Sequence, residues 1–544
     1  MIYYFKYSIY IRFNERSEKM KKRIVMYTSA IMLAGALVCS SASIAGAAEN
    51  PAQEQTQLPK SYSSVDKGYV TEIKSQKNND CWAYASMAAF ESALLSAGFE
   101  VGSMSTDHLN TWATTRSNEK GWIRKLTDNG YGSCALGYLL SWQGGVMQSD
   151  IPNFNPLDYQ FGDEVPTNLA KYGATSAKFL SKEKPDEIKN EIMNHGGVYT
   201  SYAHTSLCMS SNFQSYFMPE SFDGTYQGHA IELVGWDDNY DASNFSTSRN
   251  GSVPQNNGAW LVKNSWGKNN ALDGYFWISY EDKYLLHTRY NPSFVITGIE
   301  EITDSKKLLQ NEIYGATYEF NYVSSNNVTY FNRFDFTDEF FTVDKVIFKT
   351  EAIGAGYKLY YVPDKNGEPT SDKANWKELS TGTVDYKGYI CDDISDFDVP
   401  DKSGSIAVEL DSTAADGFSS LGVDEWLVTS NNNYVFINET EKGQSYISYD
   451  GKIQDVMDWY KENNTDDLGG NFVIKAVTTK AEDFLLGDVN LDGTVNISDA
   501  TAIQKHLANI HTVSGKALRA ADFNGDGKVD ISDATSIQRS INKG

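Results

Sequence analysis

Cys81, His229 and Asn264 are the residues whose types and order could carry a reaction together in this 544-residue chain. A thiol is a weak nucleophile until a nearby imidazole takes its proton. The imidazole works only if a third group holds its ring in place. Cys81 opens Cys81-Trp82-Ala83-Tyr84, His229 stands in Gly228-His229-Ala230, and Asn264 lies within Lys263-Asn264-Ser265-Trp266-Gly267. Each piece alone has a plain structural reading. A buried Cys is usually a small hydrophobe, a His beside Ala and Ile is more often a satisfied core residue, and Asn-Ser-Trp-Gly can be a turn. Only their order and spacing, taken jointly, point to a thiol nucleophile with its base and orienter.

The flanking residues resemble the papain family of cysteine proteases. Val70-Thr71-Glu72-Ile73-Lys74-Ser75-Gln76 is similar to the segment that carries that family's oxyanion-hole glutamine. Gly228 to Trp236 resembles its histidine strand, and Ala259 to Gly267 followed by Gly274-Tyr275-Phe276-Trp277-Ile278 resembles its asparagine segment. The resemblance implies a two-lobed α+β protease domain at residues 58–300 that hydrolyses peptide bonds through a thioester and needs no cofactor for catalysis. It makes Cys81 the nucleophile, His229 the base and later acid, and Asn264 the group that fixes the ring. Gln76 and the Cys81 N–H would hold the oxyanion, Trp266 would shield the His–Asn contact, and Trp266 and Ala230 would border the substrate. Gln76 stands one position closer to the cysteine than the family's usual spacing, and the glycines and half-cystine expected between them are absent.

Elements must deliver these groups to one place. Ser86 to Leu95 reads as a helix starting at the nucleophile, whose amino end favours the thiolate; Asp80 opposes it. Helix-prone stretches at 82–98 and 132–143 form one expected lobe. Strand-prone stretches near 197–203, 229–236, 259–263 and 274–280 form the other. Tyr138, Leu139, Trp142 and Ala230 are candidate walls of the cleft between them, Trp142 being equally acceptable as core. Of the remaining histidines only His204 is a cleft candidate; His108, His195, His287, His506 and His511 read as structural or surface residues.

A second chemistry lies at the far end. Asp488-Val489-Asn490-Leu491-Asp492-Gly493-Thr494-Val495-Asn496 runs on to Asp499, and the pattern recurs from Asp522 through Asn524, Asp526, Lys528 and Asp530 to Asp533. Side-chain oxygens at alternate positions, a glycine at the sharp turn and a main-chain carbonyl (Thr494, Lys528) make a ligand set for calcium. A helix with an apolar stripe follows each loop: Ala502, Ile503 and Leu507, then Ile537 and Ile541. The tandem resembles a dockerin module, here 486–544. That implies a small all-α domain with two Ca2+ ions, and a cohesin domain of a scaffoldin as partner, as in a cellulosome. Ile497-Ser498 and Ile531-Ser532 stand where dockerins read that partner, which suggests two near-equivalent orientations.

Between the ends, Asp344 to Lys349, Tyr357 to Val362 and Tyr434 to Ile437 are short β-branched and aromatic runs bounded by turn formers. Asp364-Lys365-Asn366-Gly367 is a predicted turn. Residues 305–480 thus read as an antiparallel β-sandwich, and resemble the lectin-like domain that follows the protease in some bacterial members of the family. Carbohydrate binding there stays open, and no ligand residues are named. Thr478 to Asp483 is the only hinge before the tail.

The front end reads as a secretory leader over 1–48. Met20-Lys21-Lys22-Arg23 is its basic start, with Met20 the expected initiator, and Ala45-Gly46-Ala47 ends the apolar run. Release is favoured over a lipid anchor at Cys39. Past the leader no stretch is apolar enough to span a membrane. The stub 49–57 leaves no room for a large inhibitory pro-segment, so activity is expected without one. The acidic residues number 71 against 47 basic ones, a formal net charge of −24, which argues against a nucleic-acid partner and suits an extracellular, scaffold- or surface-associated protein. Cys81, Cys134, Cys208 and Cys391 are too few for a disulfide framework; a Cys134–Cys208 bridge remains open. Two other readings compete with a docked peptidase: a papain-fold exopeptidase or transpeptidase, and a non-catalytic binding module.

Overall fold

The computed structural model describes residues 58–541 apart from 115–120, 160–162, 164, 247–251, 269–271, 287–291, 324–326, 338, 412–417, 425–426, 429–434, 438–439, 450, 463–468, 481–484, 509, 511–512, 514 and 527. The expected leader and stub, residues 481–483 of the expected hinge, Tyr434, His287 and His511 lie outside the described residues.

The helix Cys81–Ser96 begins at the thiol, and residues 82 to 94 are all buried. Ala, Met, Phe and Leu occur around its whole circumference, as in a helix packed on every side. The helices Thr106–Trp112 and Gly132–Leu140 pack against it through Leu109, Trp112, Leu136 and Leu139. The predicted strands appear as Val198–His204, Gln227–Asp237, Ala259–Lys263 and Tyr275–Ser279, joined in that order as antiparallel neighbours. Leu233, Trp236, Trp260, Val262 and Ile278 fill a separate core around them. Thiol and imidazole thus come from different lobes, one helical and one β.

The described residues of 306–480 are mainly antiparallel β-structure, with one α-helix at Val456–Glu462. One layer is a seven-stranded sheet containing Val328–Asp335, Gly356–Lys365, Ser403–Leu410 and Ser445–Ser448. The predicted turn is a hairpin with Asn366 at φ 59° and Gly367 at φ 85°, the paired positive φ values that suit the strand twist. The other layer holds Lys306–Leu309, Ile474–Lys480, Phe340–Thr350 and Gly388–Asp398. This second layer does not stop at the sandwich. Gly388 and Tyr389 pair with Lys178 and Ala177 of the strand Tyr172–Leu180, so it continues as one twelve-stranded sheet into the β lobe.

The tail helices Ile497–Leu507, Gly515–Ala521 and Ile531–Ile541 enclose a small core of Val489, Ala500, Ile503, Val513, Ala534 and Ile537. Ile503 and Ile537 of the expected stripes are buried. Leu507 and Ile541 are exposed, because each stands in the final turn of its helix, past the small core.

Candidate active site

The strand Gln227–Asp237 carries His229 into the interior, where only 6% of its surface is exposed. Its Nε2 lies 2.8 Å from Asn264 Oδ1. Asn264 follows the strand Ala259–Lys263, and the same Oδ1 accepts the Ser265 N–H at 2.8 Å, which fixes the amide's orientation. An amide oxygen only accepts, so the imidazole proton sits on Nε2 and the Nδ1 lone pair is free to take a proton. The Trp266 indole stacks on the imidazole with centroids 4.4 Å apart, and Tyr202 meets it edge-on at 5.8 Å. His204, on the neighbouring strand, lies 4.9 Å from the Trp266 ring and hydrogen-bonds Tyr202.

Cys81 is partly exposed, and the Ala230 N–H donates to its Sγ at 3.5 Å. The first residue after the base is therefore what ties the thiol to the β lobe. Burial pushes the Cys81 thiol up, against the pull of the Ala230 N–H. Burial also pushes His229 down to about 4, against the Asn264 hydrogen bond. Both shifts favour the uncharged pair, as both charged forms lose solvation.

Gln76 is strapped to the asparagine segment. Its N–H donates to the Ser265 carbonyl at 2.7 Å, and Ser265 Oγ donates to Gln76 Oε1 at 2.7 Å. Its Nε2 donates one hydrogen to the Asn78 carbonyl at 2.8 Å, leaving a second.

All four candidate walls are buried. Tyr138 and Leu139 are fully buried in the helical core, and Tyr138 hydrogen-bonds His108. Trp142, at φ 56°, packs on Ile347 and Val477 of the sandwich. The helix Gly132–Leu140 turns Tyr138 and Leu139 into the helical core, and Trp142, just past that helix, meets the sandwich. Ala230 is also buried, and it borders a cavity of about 10 Å³ with Lys74, Tyr84, Ala88 and Lys263. No bridge joins Cys134 and Cys208, which are both buried.

A buried ionic network ties the site's segments together, and sequence reasoning missed it. Glu91, on the nucleophile helix, accepts Lys74 Nζ at 2.7 Å and the Met104 N–H at 2.6 Å, and Thr71 Oγ1 also donates to it. Lys263, beside Asn264, donates to Thr71 at 2.9 Å. Glu232, three residues past His229, accepts Ser92 Oγ at 2.6 Å, but its Oε2 has no hydrogen-bond partner and Lys263 stops 3.8 Å short. Burial pushes Glu232 up to about 7. Charges at Lys74, Glu91, Glu232 and Lys263 look like solvated surface until the fold places them, so their only advance signal was adjacency to the motifs.

In the tail, Asp488, Asp499 and Asp533 are nearly or fully buried. Asp499 accepts the N–H groups of Val489, Asn490 and Asn496, and Asp533 those of Asn524 and Asp530. Asp488 accepts Asp492 and Gly493 N–H, Asp522 accepts Asp526 N–H, and Asp492 and Asp526 accept Thr494 and Lys528 N–H. Among the described residues no three His, Cys, Asp or Glu side chains form a metal-holding group. The loops offer instead mixed Asp, Asn and carbonyl oxygens. That donor set fits a hard cation, as each carboxylate can accept an N–H and still face an ion.

A thiol at a helix start, an imidazole on a facing strand and an asparagine behind it define the site of a two-lobed thiol protease. Family models agree: papain family cysteine protease matches residues 58–294, a lectin-like domain 308–478, and a dockerin type I domain 486–542. Among solved structures, a variant of the clostridial cysteine protease Cwp84 after propeptide cleavage is 32% identical with a TM-score of 0.66, covering 77% of this chain and 99% of that one. The protease and lectin-like domains of Cwp84, a surface-layer-associated protein of Clostridium difficile, match at 32% identity and TM-score 0.66, covering 78% and 89%. Curated relatives include cathepsin S of Mus musculus, 26% identical over 42% of this chain and 60% of its own length. Ananain of Ananas comosus is 24% identical over 40% and 55%. The match thus spans under two thirds of these curated relatives. The chain belongs to the papain family of cysteine proteases.

Proposed function

We propose that the chain is an exported cysteine peptidase that cleaves peptide bonds and is held to a scaffold by its tail. The observation that carries the peptidase reading is the 2.8 Å contact from His229 Nε2 to Asn264 Oδ1, which leaves Nδ1 as the proton acceptor. In the reaction Nδ1 takes the Cys81 proton as Sγ adds to the peptide carbonyl. The oxyanion is held by the Cys81 N–H and the second Nε2 hydrogen of Gln76, such a donor being worth roughly 3–4 kcal/mol. The imidazolium then gives its proton to the leaving amine, and a thioester remains. Water, deprotonated by the same imidazole, releases the acid and restores the thiol. Trp266 keeps bulk water off the His–Asn contact, and Trp266 and Ala230 border the substrate.

The working boundaries are 58–300, 305–480 and 486–544, preceded by a leader at 1–48. In the tail, Asp488, Asn490, Asp492, Asn496 and Asp499, with the Thr494 carbonyl, would hold one Ca2+. Asp522, Asn524, Asp526, Asp530 and Asp533, with the Lys528 carbonyl, would hold a second. The ions would neutralise the loops and set the helices for a cohesin. Ile497 and Ile531, each 58% exposed, suit such a contact.

A thiol-trapping epoxide tests the chemistry. Wild type should be labelled once, at Cys81, with labelling lost in His229→Ala and slowed about 10²-fold in Asn264→Ala. A folded wild-type sample that takes no label would sink the reading.

A further inference from the structure

The sandwich reaches the catalytic helix by a chain of contacts that starts at Phe436. The strand Val435–Ile437 pairs antiparallel with the protease strand Gly121–Ile123, placing Phe436 opposite Trp122. The two rings lie 5.1 Å apart, and both are buried. Tyr314, from the sandwich segment after the strand Lys306–Leu309, closes on Phe436 at 5.5 Å. A Cβ on Gly121 would stand 2.6 Å from the Tyr314 ring, so only glycine lets the protease strand lie this close.

Two residues past Trp122, Arg124 is 2% exposed. Its guanidinium donates to the Asp128 carbonyl at 2.6 Å, the Asn129 carbonyl at 3.2 Å and Asn110 Oδ1 at 2.8 Å. Its planar fork therefore dictates the course of the loop 125–131. The guanidinium also sits over the Trp82 indole, 4.9 Å from its centroid. Gly130 of the same loop lies on that indole so closely that a Cβ would meet it at 2.3 Å. Asn79 Nδ2 donates to the Thr127 carbonyl at 3.2 Å. The loop thus leans on residues to either side of Cys81, while Lys125, Thr127 and Asn129 face solvent.

We propose that the lectin-like region is a working part of the peptidase groove: Phe436 positions Trp122 and Arg124, which set loop 125–131 as the groove wall beside Cys81. Phe436, Trp122 and Arg124 are positioning residues, since none of them touches the reacting atoms. The proposal rests on the peptidase reading, and its test separates the two. The full chain is assayed with a peptide spanning several residues and, in parallel, with iodoacetamide, which needs the thiol and base but no wall. In Phe436→Ala, KM for the peptide should rise about tenfold with kcat within about twofold. The alkylation rate of Cys81 should stay at the wild-type value, and Phe436→Tyr should restore KM. Unchanged KM in Phe436→Ala overturns the proposal. So does a parallel loss of alkylation and cleavage in a folded variant, which would mean general damage. If Phe436→Ala lacks a cooperative melt, Phe436→Leu and Arg124→Lys are read by the same criteria. A wild type that neither alkylates at Cys81 nor cleaves would sink the peptidase reading itself.

Discussion

The protease–sandwich junction and the sandwich–dockerin junction are equally visible as changes of sequence pattern, yet they are built differently. At the first, the Gly388–Asp398 strand pairs with Tyr172–Leu180, and the Phe179 N–H donates to the Lys387 carbonyl at 2.8 Å. Tyr314, Tyr389, Phe436 and Val473 belong to the same core as Trp82 and Phe90 of the nucleophile helix. At the second, the tail keeps its own core, and the Arg519 guanidinium lies on the Phe341 ring at 3.2 Å. A recognisable sequence module is therefore not always a folding unit. A shared sheet and core make two modules one cooperative body, whereas a module that keeps its own core is separable.

Truncation is the sharpest way to break this contrast. A chain ending at Asp304 strips the covering rings from Trp112 and Trp122 and should give no cooperative melt by circular dichroism. A chain ending at Lys480 should melt within about 3 °C of the full protein and keep its peptidase rate. Equal behaviour of the two truncations would erase the distinction. Single residues sharpen it further. Tyr314→Ala should cost about 3–5 kcal/mol and shift one calorimetric transition for protease and sandwich together. Ile503→Ala should leave that transition in place and loosen only the tail.

The protease–sandwich body also carries a pH signature. The folded pKa of Glu232, about 7, lies above its ordinary value of 4.5. The folded state therefore holds this proton more tightly than the unfolded one. Stability from this group is fully present below pH 4.5 and is lost as pH rises through about 7. Glu232→Gln should remove that slope and raise stability at pH 8 by about 2–3 kcal/mol in urea titrations. The smallest effect belongs to the second junction: Arg519→Ala should cost about 1–2 kcal/mol, the range for a half-buried cation–π contact on the buried Phe341 ring.

The sequence by itself determined the chemistry and the classes of fold. Cys81, His229, Asn264 and the paired loops at Asp488 and Asp522 sit in local motifs, because the proposed nucleophile at a helix start, base on a strand and ion loops each need particular neighbours along the chain. The strands around His229 were legible for the same reason, since alternation and β-branching are local signals. What joins to what was decided only in three dimensions. The placement of Trp142 against Ile347, the pairing of Gly388 with Lys178, and the Glu91–Lys74 and Glu232–Lys263 encounters under the site are contacts between distant segments. Edge-strand hydrogen bonds are made by main-chain groups that every residue carries, and a charge becomes a buried network member only once packing excludes its water. Neither leaves a mark in the neighbouring sequence.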